Sequence, residues 1–310
     1  AANMVIIGAL AHLVDMPQQY LEEFVTKRFT RGRSGDEEII RSNIQAMTLG
    51  REHISESGLA LGALAAPNPP DFAQIMLKGN EALALGALAG GLEFYVGYPI
   101  TPATTILLYT ERNLVGEGKF AHQVSSEIES ITTILGAGFA GKKAMTATAG
   151  PGFSLMSEGL GLGWIAEIPL VVVDVQRVGP ATGLPTKTEQ SDLMACMFPA
   201  HGDVKMPIIA VGTVEECFYG AIKALTWSER YQGPVILMTE MALAERVQNI
   251  AKPDLSQVEN QRRQVYEGTN GYHRYAGFEL SPMPLPGNPG AYVANGSEHD
   301  DMGDTTHLAS

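Results

Sequence analysis

Cysteine is nearly absent: the chain has only Cys196 and Cys217, and neither belongs to a CxxC pair. Two thiols cannot build a disulfide framework, and they cannot hold an iron–sulfur cluster, which usually takes four thiolates. Basic residues are also scarce, with 21 Lys and Arg against 34 Asp and Glu and a formal charge of −13. The cations are scattered rather than clustered, which excludes the basic footprint needed to bind nucleic acid or an anionic membrane. No apolar run of about 18 residues is present, so no membrane-spanning helix is expected. The amino terminus lacks a charged-then-apolar signal pattern. Free thiols and the missing signal together imply a cytoplasmic protein.

What remains is ordinary globular material, 45% hydrophobic and 18% charged. The chain opens inside an apolar element, Asn3 to Leu10, as a fragment of a longer polypeptide would. Residues 1–55 read as helices without a sheet of their own: an apolar Ala/Gly-rich segment over 3–14, an amphipathic stretch from Gln18 to Arg28, and a helix from Glu37 to Leu49. This part is expected to be the end of an upstream domain. Residues 56–77, with Pro67-Asn68-Pro69-Pro70, read as a linker. A helix then runs to Gly90-Gly91, with Asn80 as its expected cap.

From residue 93 the pattern alternates. Strands are expected at 93–98, 120–124, 144–149, 169–175, 207–211 and 234–240. Helices are expected at 102–115, 127–140, 153–166, 190–198 and 213–229. Such alternation predicts an α/β fold, a mostly parallel sheet with helices on both faces, whose ligands sit beyond the carboxyl ends of the strands. Residues 246–310 read as an extended connection or tail, wrapped across a neighbour or loosely ordered.

Four strand ends carry polar residues to that edge, and each has a plain structural reading. In Tyr98-Pro99-Ile100-Thr101-Pro102, Thr101 and Pro102 make a standard helix start. Equally, a Thr hydroxyl and free N–H groups there can bind a carboxylate. Ser126 and Glu129 fit a capping box that would absorb Glu127 as a first-turn acid. Yet Glu127 precedes Ile128, Ile131 and Ile134, and an acid in an apolar pocket is a candidate functional group. The turn Thr148-Ala149-Gly150-Pro151-Gly152 follows a strand, but the dinucleotide fingerprint's third glycine and ribose-binding acid are missing. Arg177 ends an apolar strand and opens the loop Gly179-Pro180-Ala181-Thr182-Gly183-Leu184-Pro185-Thr186-Lys187-Thr188-Glu189-Gln190, where it suits an anion. Lys187 and Glu189 could pair as surface charges of little consequence. His122 and His201 have no ligand-spaced partners and are expected to be structural.

Taken together, the motifs over residues 78–245 resemble the α subunit of the 2-oxoacid:ferredoxin oxidoreductases. The segment from Gln176 to Gln190 resembles the fused γ–α form, notably of 2-oxoglutarate enzymes. The resemblance implies a thiamine-diphosphate pyrimidine domain, with residues 1–55 as the end of a γ-like domain. It implies that Glu127 hydrogen-bonds the aminopyrimidine ring and so activates the thiazolium carbon. Tyr98, Pro99, Ile100, Gly150 and Gly152 would line the cofactor. Thr101 and Arg177 would hold the substrate carboxylate, and Thr182 and Lys187 would shape the acyl pocket. The diphosphate-binding Gly-Asp-Gly…Asn motif does not occur here. Mg²⁺ and [4Fe-4S] clusters are therefore expected on a partner β subunit in an α₂β₂-type assembly. The implied reaction is oxidative decarboxylation of a 2-oxoacid, with the acyl group passed to coenzyme A and electrons to ferredoxin. 2-Oxoglutarate is the favoured substrate, with pyruvate and branched-chain 2-oxoacids open. A non-catalytic scaffold subunit and a plain nucleotide-binding domain are the rival readings.

Overall fold

A computed structural model describes residues 2–65, 68, 70–269, 272–275, 279–288 and 300. The chain divides into two compact units, residues 1–71 and 72–310.

The first unit holds three helices, α1 (Ala2–Leu13), α2 (Gln18–Phe29) and α3 (Asp36–Ser57). Helices α1 and α3 cross where Gly8 lies against the Met47 carbonyl and Gly50 against the Val5 carbonyl, so neither position has room for a Cβ. Asp36 starts α3 by accepting from the Arg31 and Arg33 N–H groups, at 2.6 and 3.0 Å. Those bonds hold its carboxyl below the usual carboxylate range.

The second unit runs β1 (Gln74–Lys78), α4 (Gly79–Ala89), β2 (Phe94–Gly97), α5 (Thr104–Asn113), β3 (Phe120–Gln123), α6 (Glu127–Phe139), β4 (Ala144–Thr148), α7 (Gly150–Leu155), α8 (Ser157–Ile165), β5 (Leu170–Gln176), α9 (Leu193–Met197), β6 (Ile208–Ala210), α10 (Val214–Tyr231), β7 (Pro234–Glu240), α11 (Met241–Glu245) and β8 (Val247–Ala251). Six strands form one parallel sheet in the order β3-β2-β4-β5-β7-β6. The fold is α/β with helices on both faces, as the alternation implied.

Strand β5 shows how burial on both faces writes its sequence. Val171, Val173 and Val175 join one core with Leu83, Ile106, Phe218 and Leu225 from α4, α5 and α10. Leu170 and Val172 join the other with Ile131, Phe153, Leu160 and Cys196 from α6 to α9. All seven residues of β5 are buried, which is why Leu170 to Val173 read as a continuous apolar run rather than an alternating one.

The structure departs from the sequence reading at both ends of this unit. The expected linker over 56–77 ends in β1, and the expected tail from 246 begins with β8. The two pair antiparallel, from Gln74 opposite Ala251 to Lys78 opposite Val247. Each is only partly buried and lies far from the other in sequence, so neither gives the apolar run that marks a strand. Beyond β8, described residues of the chain pack on this unit. The Arg263 guanidinium, 2% exposed, bonds both Glu229 oxygens, at 3.0 and 2.8 Å, and the Gly138 carbonyl at 2.9 Å. Arg274 pairs with Glu167 at 2.6 Å. Residues 289–299 and 301–310 of the expected tail lie outside the described residues. The single helix expected over 153–166 is two, α7 and α8, divided at Met156.

Candidate active site

Glu127 is the first residue of α6 and is 7% exposed. The capping work that could have occupied it is done by its neighbours. Ser126 Oγ accepts the Glu129 N–H at 3.1 Å, and the Glu129 carboxylate accepts the Ser125 N–H at 2.7 Å and its hydroxyl at 2.6 Å. Those bonds to Ser125 pull the Glu129 carboxyl below its usual range. Among the described residues the Glu127 carboxylate makes no hydrogen bond. Neither carboxylate oxygen is sealed from the surface, so a donor arriving at this edge can reach it.

Gly152 explains how that carboxylate is accommodated. A Cβ at this position would overlap Thr148 Oγ1 and come within 2.6 Å of Glu127 Oε1. The Thr-Ala-Gly-Pro-Gly turn therefore passes α6 at a distance only glycine allows, and it brings the Thr148 hydroxyl beside the Glu127 carboxylate. Gly150 is as closely met: Asp192 Oδ2 lies 2.7 Å from where its Cβ would stand.

Arg177 extends β5 into the loop and is 5% exposed. Its Nη1 donates to the Thr101 carbonyl at 2.6 Å, and its Nη2 to the Thr182 carbonyl at 2.9 Å. Nε is buried and, among the described residues, has no hydrogen-bond partner. Burial pulls the guanidinium's pKa down, and the Glu127 carboxylate works against that shift. One side chain thus ties the β2–α5 turn to the loop after β5, with Glu127 in electrostatic reach.

The expected helix start at Thr101 is not formed; α5 begins at Thr104 with Ala103 before it. The carbonyls at this turn are engaged elsewhere, Thr101 by Arg177 and Pro102 by the Asn80 amide at 2.9 Å. Asn80 also donates to Thr105 Oγ1 at 2.8 Å. It therefore fastens α4 to this turn instead of capping α4, whose first flanking residue is Lys78. The Thr101–Pro102 and Gly179–Pro180 peptides are cis.

The structure thus brings Thr101, Glu127, Gly150, Gly152, Arg177 and Thr182 to one edge. Pro99 and Ile100 line the same turn half-buried, and Tyr98 is exposed. Thr182 contributes its carbonyl, and its side chain is exposed. Lys187 is exposed and joins the loop through its backbone, accepting the Val178 N–H at 3.1 Å. Among the described residues it forms no ion pair; Glu189 instead accepts the Gly179 N–H at 2.9 Å. His122 is exposed and lies tilted against Phe120. The described residues contain no cluster of three or more His, Cys, Asp or Glu that could hold a metal.

Sequence reasoning passed over Asp174, and it gave no role in the site to Thr148, Asn80 or Gln176. Asp174 carried a readable signal, as an acid inside an otherwise apolar strand, Leu170 to Val175.

The family model described as pyruvate flavodoxin/ferredoxin oxidoreductase, thiamine diP-bdg, matches residues 85–309. The chain belongs to this family. Subunit alpha of the 2-oxoacid:ferredoxin oxidoreductase 2 of Aeropyrum pernix is 34% identical over 99% of this chain and 50% of the relative. The 2-oxoglutarate synthase subunit KorA of Methanocaldococcus jannaschii is 38% identical over 73% of this chain and 62% of the relative. A solved structure of the 2-oxoglutarate:ferredoxin oxidoreductase from Magnetococcus marinus, with 2-oxoglutarate, coenzyme A and succinyl-CoA bound, aligns with a TM-score of 0.86 and 38% identity. That alignment covers 99% of this chain and 54% of the other. The chain spans 40% to 62% of the length of these and other curated relatives that it matches. No helix among the described residues is long and apolar enough to cross a membrane.

Proposed function

We propose that this chain supplies the pyrimidine-side half of a thiamine-diphosphate-dependent 2-oxoacid:ferredoxin oxidoreductase. The observation that carries the proposal is the Glu127 carboxylate, buried, without a hydrogen bond of its own, and cleared by Gly152. These residues fit a heterocycle that brings an N–H to the carboxylate. A side chain at 152 would fill the space that Glu127 and Thr148 now occupy. When bound, thiamine diphosphate supplies the carbon nucleophile and electron sink that let a 2-oxoacid lose CO₂.

The chain's own residues would act around that chemistry. Glu127 Oε1 or Oε2 would accept a ring N–H and hold the proton whose position decides the ring's tautomer. Arg177 would bring positive charge to the substrate carboxylate while its two carbonyl bonds fix the turn at Thr101. The exposed Thr101, Thr182 and Tyr98 leave this edge open, which suits a site completed by another chain. That chain would be a β subunit carrying the diphosphate and Mg²⁺ contacts and the [4Fe-4S] cluster, in a cytoplasmic α₂β₂-type complex. Residues 1–55 would be the end of a γ-like domain.

The proposed reaction is oxidative decarboxylation of 2-oxoglutarate to its acyl-coenzyme A, with electrons leaving to ferredoxin. The names of the relatives from Methanocaldococcus jannaschii and Magnetococcus marinus support that substrate over pyruvate. The test is anaerobic viologen-dye reduction by the full-length polypeptide with its native partner, offered 2-oxoglutarate, pyruvate or a branched-chain oxoacid with coenzyme A. Reduction that needs thiamine diphosphate, favours 2-oxoglutarate and is lost in Glu127→Ala with assembly intact is the expected result. No reduction with any oxoacid, despite an intact cluster-bearing partner, would favour the scaffold reading.

A further inference from the structure

Behind the site lies a second pair of acids that the reaction outlined above does not use. Asp174 projects from β5 on the face that also carries Leu170 and Val172, and it is fully buried. Asp192, just before α9, is brought beside Asp174 from two sides: its N–H bonds Gln176, two residues along β5, and its carbonyl accepts the N–H of Cys196, whose thiol meets Asp174. Asp174 Oδ1 and Asp192 Oδ2 are both buried with no donor among the described residues. The one donor beside Asp174 is the Cys196 thiol, 3.8 Å from Oδ2. The other groups acting on the pair are Ser191, a hydroxyl, and Glu189, a further carboxylate.

Asp174 is wholly out of water and Asp192 only partly, so ionising both would leave the Asp174 charge desolvated beside a like charge. One acid proton between them removes the repulsion and satisfies an oxygen that otherwise has nothing. An O–H···O⁻ bond of this kind is roughly twice as strong as a neutral one. Burial and the Asp192 charge both push the Asp174 carboxyl well up; burial raises that of Asp192 too, and its contact with Asp174 works against that shift. The proton therefore belongs on Asp174, with Asp192 as the acceptor.

The place of the pair gives it a consequence. Asp192 closes the loop that begins at Arg177, and its own N–H donates to Gln176 Oε1 at 3.0 Å. The Gln176 amide in turn donates to the Thr239 carbonyl of β7 at 3.3 Å. On its other side the Asp192 carboxylate occupies the space left by the missing Cβ of Gly150. The glycine turn bearing Gly152 and the loop bearing Arg177 therefore meet at this carboxylate, and Asp174 anchors it to the sheet.

We propose that Asp174 and Asp192 are positioning residues, a carboxyl pair bridged by one proton that fastens the Arg177 loop against the Gly150–Gly152 turn. Their effect on catalysis rests on the function proposed above; their effect on the loop does not.

The test uses the full-length polypeptide in its complex and compares Asp174→Asn, Asp174→Val and Gly150→Ala with the parent. An asparagine amide can donate to Asp192 as the acid does, whereas valine fits the strand and donates nothing. Hydrogen exchange of amides 178–190 should match the parent in Asp174→Asn and lose protection about tenfold in Asp174→Val. Gly150→Ala, which displaces the Asp192 carboxylate while leaving both acids in the sequence, should lose a similar amount. Infrared difference spectra of parent against Asp174→Asn should show the C=O stretch of a protonated carboxylic acid at neutral pH. Thiamine diphosphate should bind about tenfold more weakly to Asp174→Val and unchanged to Asp174→Asn, the split expected of an effect passed through the loop.

Loop protection in Asp174→Val equal to the parent's, or no acid band lost in Asp174→Asn, would overturn the proposal. If Asp174→Val does not fold, the infrared spectrum and the loop protection of Asp174→Asn still decide. Exchange and infrared readouts need no turnover. A complex inactive on every oxoacid would thus refute the functional reading and leave this one standing.

Discussion

Adding one methyl group at Gly152 should separate the stability of this unit from its activity. Gly152 stands third in α7, and its φ is not in the left-handed region. In an open helix Gly→Ala would stabilise by about 0.8–1.0 kcal/mol. Here the new Cβ overlaps Thr148 Oγ1 and stands 2.6 Å from Glu127 Oε1 and 2.7 Å from Glu127 Cγ. Thr148 is β-branched and buried, and rotating χ1 only exchanges its hydroxyl for its methyl, so it cannot yield cheaply. Glu127 has a longer and freer side chain, and it is the group that moves. Overpacking costs about 1–3 kcal/mol, so the net destabilisation is about 0–2 kcal/mol. At roughly 2–4 °C per kcal/mol that lowers Tm by a few degrees. A catalytic carboxylate displaced by about 1 Å costs on the order of 100-fold in rate. Thermal unfolding, thiamine diphosphate titration and anaerobic dye reduction on the full complex measure the three quantities separately. Adding Thr148→Ala removes the first obstacle but not the second, so the double variant should regain Tm and stay slow. Gly152→Ala with parental activity and cofactor affinity would refute the placement of Glu127.

The remaining predictions concern other parts of the same unit. Arg177→Ala removes two charge-assisted bonds, to the Thr101 and Thr182 carbonyls, and should lower kcat/KM about 100-fold in steady-state assays, on about 1.5 kcal/mol per bond. Arg177→Lys cannot reach both carbonyls and should recover only part. Arg263→Ala leaves the Glu229 charge buried, at 1% exposure, and should cost about 3–5 kcal/mol in denaturant unfolding. Adding Glu229→Leu should return most of that loss. Burial pushes the Cys217 thiol up to about 12, and the Cys196 thiol up as well. Neither should react with a disulfide reagent until the chain is unfolded, and a thiol titration before and after denaturant checks this.

The order of strands and helices could be read because the central strands β4, β5 and β7 are buried on both faces and helices alternate with the strands along the chain. Strands β1 and β8 could not, because each is only partly buried and its partner lies on the far side of the unit's sequence. The site was legible as a set of polar strand ends, but the spacing could not say which group does what. The spacing named Ser126 and Glu129 as the capping pair but could not say whether Glu127 was spent beside them; the folded geometry leaves its carboxylate without a hydrogen bond among the described residues. The same holds at Thr101, where local sequence suggests a helix start and a guanidinium from β5 takes the carbonyl instead. Distant partners decided both outcomes, and a local pattern holds no record of them.

The two faces of the sheet differ in kind. The α4–α5–α10 face is filled by Leu, Ile, Val, Ala and Phe side chains. The α6–α9 face interleaves its apolar residues with Thr148, Asp174 and Gln176, which reach the reactive edge. Drift in sequence therefore meets unequal resistance on the two sides. The first can exchange residues of matched volume with little effect beyond stability, so adaptation to heat or cold has room to accumulate there. The second is bound to particular atoms, and changes there fall on chemistry first.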